Sequence, residues 1–156
     1  MTSAPKPFLF SFEAAQTEPL AFIPLGVRFF LDRCGARLSL AQWQALPESG
    51  RSTLAASEPV SNDQSVQAFD ALLETLAREH AIGPIERQAA SVLDEIAPRA
   101  LPETVTSQAA QHGIEGPSPT AWSQLSVAQR YALTKLARKA RRSDDFASAM
   151  REFGIA

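Results

Sequence analysis

Two stretches of the chain decide its fold: residues 23–57, IPLGVRFFLDRCGARLSLAQWQALPESGRSTLAAS, and residues 101–137, LPETVTSQAAQHGIEGPSPTAWSQLSVAQRYALTKLA. Some residues recur at a spacing of 78: Pro24, Val27 and Gly35 as Pro102, Val105 and Gly113. After one extra loop residue, others recur at a spacing of 79: Ser39, Trp43, Leu46, Arg51 and Leu54 as Ser118, Trp122, Leu125, Arg130 and Leu133. We interpret the two stretches as an internal repeat, in which one helical unit is used twice.

Each copy carries start and stop signals for short helices. Pro24 suits a first helical turn, so a helix is predicted over residues 24–34. Gly35 and Gly113 are expected just after helix ends, in the left-handed conformation that favours glycine. A short helix is predicted from Leu40 to about Leu46. Two capping boxes are predicted: Ser39 with Gln42, and Ser126 with Gln129.

Two apolar stripes at helical spacing predict two helices that link the copies. The first covers residues 66–76 and ends before Gly83-Pro84, and the second covers residues 85–96 and stops before Pro98. A last helix is expected after Ser143. At the other end, the alternation of Phe8, Phe10 and Phe12 indicates an extended arm.

These patterns predict an all-α fold. We expect one helical domain over residues 8–156, in which two related repeat units (23–57 and 101–137) are joined by two linking helices. A short extended N-terminal arm precedes the helices, and residues 1–7 are expected to be frayed.

Composition excludes several classes of protein. The chain has 156 residues, enough for one domain, and its net charge of −2 gives no general attraction to nucleic acid or anionic lipid. Its single cysteine excludes an internal disulfide and is typical of a reducing compartment. Because no apolar run approaches the roughly 20 residues of a membrane helix and the start has no signal-peptide pattern, we predict a cytoplasmic protein without membrane attachment.

The residues give no sign of an active site. Cys34 lies at a helix C-terminus, the wrong end for lowering a thiol pKa, so a structural role is favoured over a reactive one. His80 and His112 have no metal-ligand spacing, and no nucleotide-binding or hydrolase motif occurs. We therefore expect a non-enzymatic protein without metal or cofactor.

Two residue types that recur in the repeat have structural interpretations. Trp43 and Trp122 are each expected to anchor the core of their copy. Arg51 and Arg130 are each expected to pair with a carbonyl at a helix end or with a carboxylate such as Asp32. A shared ligand site is the less favoured alternative.

One basic cluster spans residues 135–142. It contains Lys135, Arg138, Lys139, Arg141 and Arg142, most of which can share one helix face. Such a face could bind phosphates or an acidic partner. The favoured alternative is that these cations complement the dipole of the preceding helix.

Both ends of the chain resemble one protein family. The opening motif joins Phe10-Ser11-Phe12-Glu13, Ile23-Pro24-x-x-Val27-Arg28-x-x-Leu31-Asp32-x-Cys34-Gly35 and Leu38-x-Leu40-x-x-Trp43. The closing motif joins Gln129-Arg130-Tyr131-Ala132-Leu133-x-Lys135-Leu136-x-Arg138 and Phe146-x-x-Ala149-x-x-Glu152-Phe153-Gly154. Together they resemble the nitrate-reductase-associated proteins over residues 8–154.

The resemblance implies a role without catalysis. It points to an accessory or maturation factor for a molybdenum-dependent assimilatory nitrate reductase, bound to the reductase or to its assembly machinery. Arginine often carries binding energy at desolvated contacts, and the candidate partner contacts match family motif positions: Arg28, Asp32, Arg130, Lys135 and Arg138. The alternative is a module that binds nucleic acid or another anionic ligand through the basic cluster.

Overall fold

The computed structural model describes residues 6–138 and 144–155. Within these residues the chain is mainly helical, with ten helices and two very short strands. In chain order they are α1 (Ser11–Ala14), α2 (Leu25–Cys34), β1 (Ala36–Arg37), α3 (Leu40–Ala45), α4 (Glu48–Ala55), α5 (Asp63–Glu79), β2 (Glu86–Arg87), α6 (Leu93–Ile96), α7 (Glu103–Gln111), α8 (Pro119–Ser123), α9 (Val127–Ala137) and α10 (Asp144–Glu152).

The predicted helix signals act where they were expected. Both capping boxes form, with Ser39 and Ser126 each accepting a hydrogen bond from the backbone of the glutamine three residues later. Gly35 ends α2 at φ 70°, and Gly113 follows α7 at φ 66°. Helix α2 begins at Leu25 rather than at Pro24, because Pro24 is extended and serves as the N-cap.

The prediction of a second linking helix over residues 85–96 is wrong. Residues 86–87 instead form β2, which pairs antiparallel with β1, and only α6 is helical. The amide of Gln88 donates to the Gly35 carbonyl at 2.9 Å, and that of Ser91 donates to the Asp32 carbonyl at 2.8 Å. The backbone amides of this segment therefore bond to the end of α2 instead of forming helical hydrogen bonds. Of the two predicted linking helices, only the first forms as a long helix in the described residues, as α5.

The N-terminal arm is extended only in part. The described residues 6–10 have no regular secondary structure, and the Phe8 amide donates to the Ala55 carbonyl at 2.6 Å. From Ser11 the chain turns into α1, so the predicted extended alternation ends before Phe12. Glu13 in this turn accepts a hydrogen bond from the Leu25 amide at 2.9 Å, which satisfies a free donor at the start of α2.

The described chain divides into two compact units. The first consists of residues 6–9 and Glu13–Ser91, and the second consists of Phe10–Phe12 with residues 92–138 and 144–155. In the first unit, α5 packs against α2 and α4, and the rings of Phe30 and Phe69 stack at 5.1 Å. In the second unit, α9 packs against α6, α7 and α10. The prediction that residues 8–156 form one domain stays a prediction.

Candidate functional site

Each unit is anchored by a tryptophan that donates to an upstream carbonyl. The side chains of Trp43 and Trp122 are fully buried. The indole N–H of Trp43 donates to the Leu20 carbonyl at 2.8 Å, and that of Trp122 donates to the Pro98 carbonyl at 2.9 Å. A buried indole needs such an acceptor, so each tryptophan fixes an irregular segment against its short helix. Both side chains therefore lie in the core.

Both recurring arginines bind main-chain carbonyls, but only Arg130 binds one beside a helix end, as predicted; the carbonyl that Arg51 binds lies in a turn between α1 and α2. Arg51 on α4 donates through Nη1 to the Leu20 carbonyl at 2.9 Å, so this oxygen receives bonds from both Trp43 and Arg51. Arg130 on α9 donates instead to the Leu125 carbonyl at 2.7 Å.

A groove of about 630 Å³ lies beside Arg51 in the first unit. Its apolar wall includes Leu9, Pro19 and Leu20. Its charged lining comprises two cationic and two anionic side chains: Lys6, Arg51, Glu18 and Glu48. The balance of charge favours no particular ion.

Of the five predicted contact residues, two lie on α2. Arg28 is exposed, and its Nε donates to the Ile23 carbonyl at 3.2 Å. Asp32 follows one turn later and is half-buried, and its carbonyl accepts the Ser91 amide. The two side chains therefore lie on neighbouring turns of one helix in the first unit.

The other three contact residues belong to the second unit. Arg130 and Lys135 lie on α9 and are half-buried, and the exposed Arg138 is its C-cap. Arg138 donates through Nη2 to the carbonyl of Glu95 in α6 at 2.8 Å. The remaining members of the predicted basic cluster (Lys139, Arg141 and Arg142) and the predicted cap Ser143 lie outside the described residues.

The surroundings of Arg130 contain both a cation, Arg99, and an anion, Asp94. Burial lowers the pKa of Arg130, the positive charge of Arg99 lowers it further, and Asp94 opposes both effects. The Nε atom of Arg130 is buried and has no hydrogen-bond acceptor among the described residues. Arg99, which lies outside the predicted contact residues, thus belongs to the surroundings of one of them. The predicted spacing of 78 residues, extended beyond the two stretches, places Arg99 opposite Ala21, and this change from alanine to a cation is the signal that the sequence contains.

The candidate reactive and metal-binding residues are dispersed. Burial raises the pKa of the Cys34 thiol, with a smaller contribution from Asp70, and its Sγ lies 3.8 Å from the Leu31 carbonyl. His80 is the C-cap of α5, and His112 stacks on Phe146 at 5.8 Å. Among residues 6–138 and 144–155, no three histidine, cysteine or acidic side chains are grouped as metal ligands would be. In the same residues, no helix has the length and apolarity needed to span a bilayer.

Comparison with known proteins bears on the family. No curated protein matches the chain, and no solved structure does. The model of the conserved nitrate reductase-associated proteins matches residues 9–153, nearly the span over which the end motifs show their resemblance. The chain therefore belongs to the family of conserved nitrate reductase-associated proteins.

Proposed function

We propose that this chain is a non-enzymatic accessory or maturation factor that acts by binding a nitrate reductase or one of its assembly proteins. The observation that carries the proposal is the family match over residues 9–153, since the family is described by its association with nitrate reductase. The proposal identifies the reductase as the molybdenum-dependent assimilatory enzyme and places the encounter in the cytoplasm. The molybdenum in this account belongs to the reductase.

Surface arginines support a binding role. Arg28 and Arg138 are both exposed, and each uses only one donor atom on a main-chain carbonyl of the described chain. Their remaining donors can face a partner, and arginine is enriched among residues that dominate binding energy. We assign partner contact to Arg28 with Asp32 in the first unit, and to Arg130, Lys135 and Arg138 in the second.

A pull-down tests the proposal. The tagged chain is captured from cells grown on nitrate, and the bound proteins are identified by mass spectrometry. The proposal expects a nitrate reductase or its cofactor-insertion proteins among the captured proteins. Capture of neither, or of nucleic-acid-binding proteins instead, would contradict it.

Charge reversal tests the contact surface. Arg138→Glu should abolish capture of the reductase while the far-ultraviolet circular dichroism of the chain stays unchanged, because an exposed hydrogen bond contributes only about 1 kcal/mol to stability. Arg151→Glu is the matched control, since Arg151 is also exposed and lies in the same unit. Equal capture by wild type and Arg138→Glu would remove Arg138 from the surface.

We also propose that the two units derive from one duplicated helical motif. The support lies in shared details: a serine that caps the short helix, a buried tryptophan that follows it, and an indole bond to a carbonyl 23 residues upstream in one unit and 24 in the other. The recurring arginine is a further common feature, although it contacts a different carbonyl in each unit.

A further inference from the structure

Three arginines lie in or beside one short segment of the second unit, residues 94–99. Arg138 donates to the carbonyl of Glu95 in this segment at 2.8 Å. The amide of Arg99, at its other end, donates to the carboxylate of Asp94 at 3.1 Å, which closes the segment into a turn. Arg130 lies within the electrostatic reach of both Asp94 and Arg99. We call Arg99, Arg130 and Arg138 the arginine cluster.

Within the described residues, the positive charges of the cluster have no ion-pair partner. None of the salt bridges among the described residues involves Arg99, Arg130 or Arg138. Arg99 is exposed, and the structure shows no hydrogen bond from its guanidinium to a described residue. Since like charges held close together repel each other, an anion beside the exposed guanidinium of Arg99 would lower its repulsion with Arg130.

The first unit shows that this arrangement is not needed for folding. There the tryptophan and the recurring arginine share one carbonyl, that of Leu20, and the residue after it is Ala21. In the second unit the corresponding carbonyl is that of Pro98, and the residue after it is Arg99. The second unit thus adds a cation at a position where the first has a methyl group, beside an arginine that is already partly desolvated.

We propose that the arginine cluster binds carboxylates of an acidic segment on the partner protein. The guanidinium fork matches a carboxylate in two parallel hydrogen bonds, and a desolvated arginine forms such bonds strongly. A nucleic-acid backbone is disfavoured, because Asp94 and Glu95 adjoin the cluster and the whole chain has a net charge of −2. The inference rests on the proposed function for the identity of the partner, but not for the chemistry of the site.

The test uses poly-L-glutamate as the probe and therefore does not depend on the reductase. Binding to the full chain is measured by titration at low salt for the wild type, for Arg99→Glu and for the matched control Arg151→Glu. Arg99→Glu should weaken binding at least tenfold, the loss expected when a charge-assisted hydrogen bond is replaced by repulsion. Arg151→Glu should change binding less than threefold, and Arg99→Lys, which keeps the charge, should recover part of the affinity.

The outcomes separate the chemistry of the cluster from the role of the chain. Equal weakening by Arg99→Glu and Arg151→Glu would overturn the inference, because only general charge would then be involved. Tighter binding of inorganic polyphosphate or single-stranded DNA than of poly-L-glutamate would overturn the choice of carboxylates. Specific poly-L-glutamate binding together with no capture of a reductase would leave the cluster standing and refute the proposed partner.

Discussion

Replacement of each buried tryptophan by phenylalanine should have unequal effects on stability. Both substitutions remove an indole N–H and part of a fully buried ring, so their cavity terms should be similar. The two substitutions differ in whether the carbonyl that accepted the indole bond keeps another hydrogen bond. In Trp43→Phe the Leu20 carbonyl keeps the bond from Arg51 at 2.9 Å, whereas in Trp122→Phe the Pro98 carbonyl loses its only donor among the described residues.

The difference can be estimated from the acceptor left behind. An unsatisfied, partly buried polar group costs about 1–3 kcal/mol, and a bond from a charged donor is retained only at Leu20. We therefore expect Trp122→Phe to lower the free energy of unfolding by about 1 kcal/mol more than Trp43→Phe does. Urea denaturation followed by circular dichroism measures both values.

The same substitution in a variant that lacks the Arg51 guanidinium tests this explanation. When Arg51→Met has already removed the guanidinium, Trp43→Phe also leaves the Leu20 carbonyl without a donor in the described chain. Its cost should then rise by about 1 kcal/mol relative to its cost in the wild type, which a double-mutant cycle detects. If Trp43→Phe costs the same in both backgrounds, the shared carbonyl does not determine the difference.

Three further predictions concern the backbone and the thiol. Ala81→Gly should stabilise the chain by roughly 0.5–1 kcal/mol in thermal denaturation, because Ala81 has a φ of 49°, which is costly for a side-chain-bearing residue. Gly35→Ala should lower the free energy of unfolding by at least about 2 kcal/mol, and Gly113→Ala by only about 1 kcal/mol. Both glycines have left-handed backbones, but only at Gly35 would the new Cβ meet backbone atoms, those of Gln88 and Ala90. Equal losses in urea denaturation would contradict this. Because the pKa of the Cys34 thiol is raised in the folded chain, iodoacetamide should alkylate the native chain only at a higher pH than the unfolded chain. The contribution of Cys34 to stability is complete below the pKa of the thiol in the unfolded chain and is lost as the pH rises through its pKa in the folded chain. Coincident pH–rate profiles for the native and unfolded chains would refute the raised pKa.

The sequence predicts well those features that depend on neighbouring residues. A capping box needs only Ser39 and Gln42 and the backbone between them, and a glycine after a helix end acts over a single turn. The tryptophans are predicted as anchors because each follows a capping serine by four residues and precedes a leucine by three, which places the two apolar side chains on one face of a short helix. Their acceptors were not predicted, because the Leu20 and Pro98 carbonyls lie far upstream and carry no residue-specific signal.

The failed prediction at residues 85–96 has a different cause. The apolar residues of this segment recur at helical spacing, but Val92 is 58 % exposed while Ile85 and Ile96 are buried, so they do not form one face. The competing interaction is a backbone pairing with residues 32–37, more than 40 positions away in the chain. Periodicity within one segment cannot report such a partner, and the same limitation hid the approach of Arg99 to Arg130.

The comparison of the two units also indicates where function should be sought. Residues that both units use in the same way, such as the capping serines and the buried tryptophans, are explained by the stability of each unit. Stability does not explain Arg99, because the first unit has alanine at the corresponding position and forms the same indole-to-carbonyl bond. A cation that the fold does not require, held beside a partly buried arginine at some electrostatic cost, needs another reason for its presence. The proposed binding of an acidic partner would supply that reason, and it makes Arg99, rather than the better buried Arg130, the position where substitution should separate binding from folding.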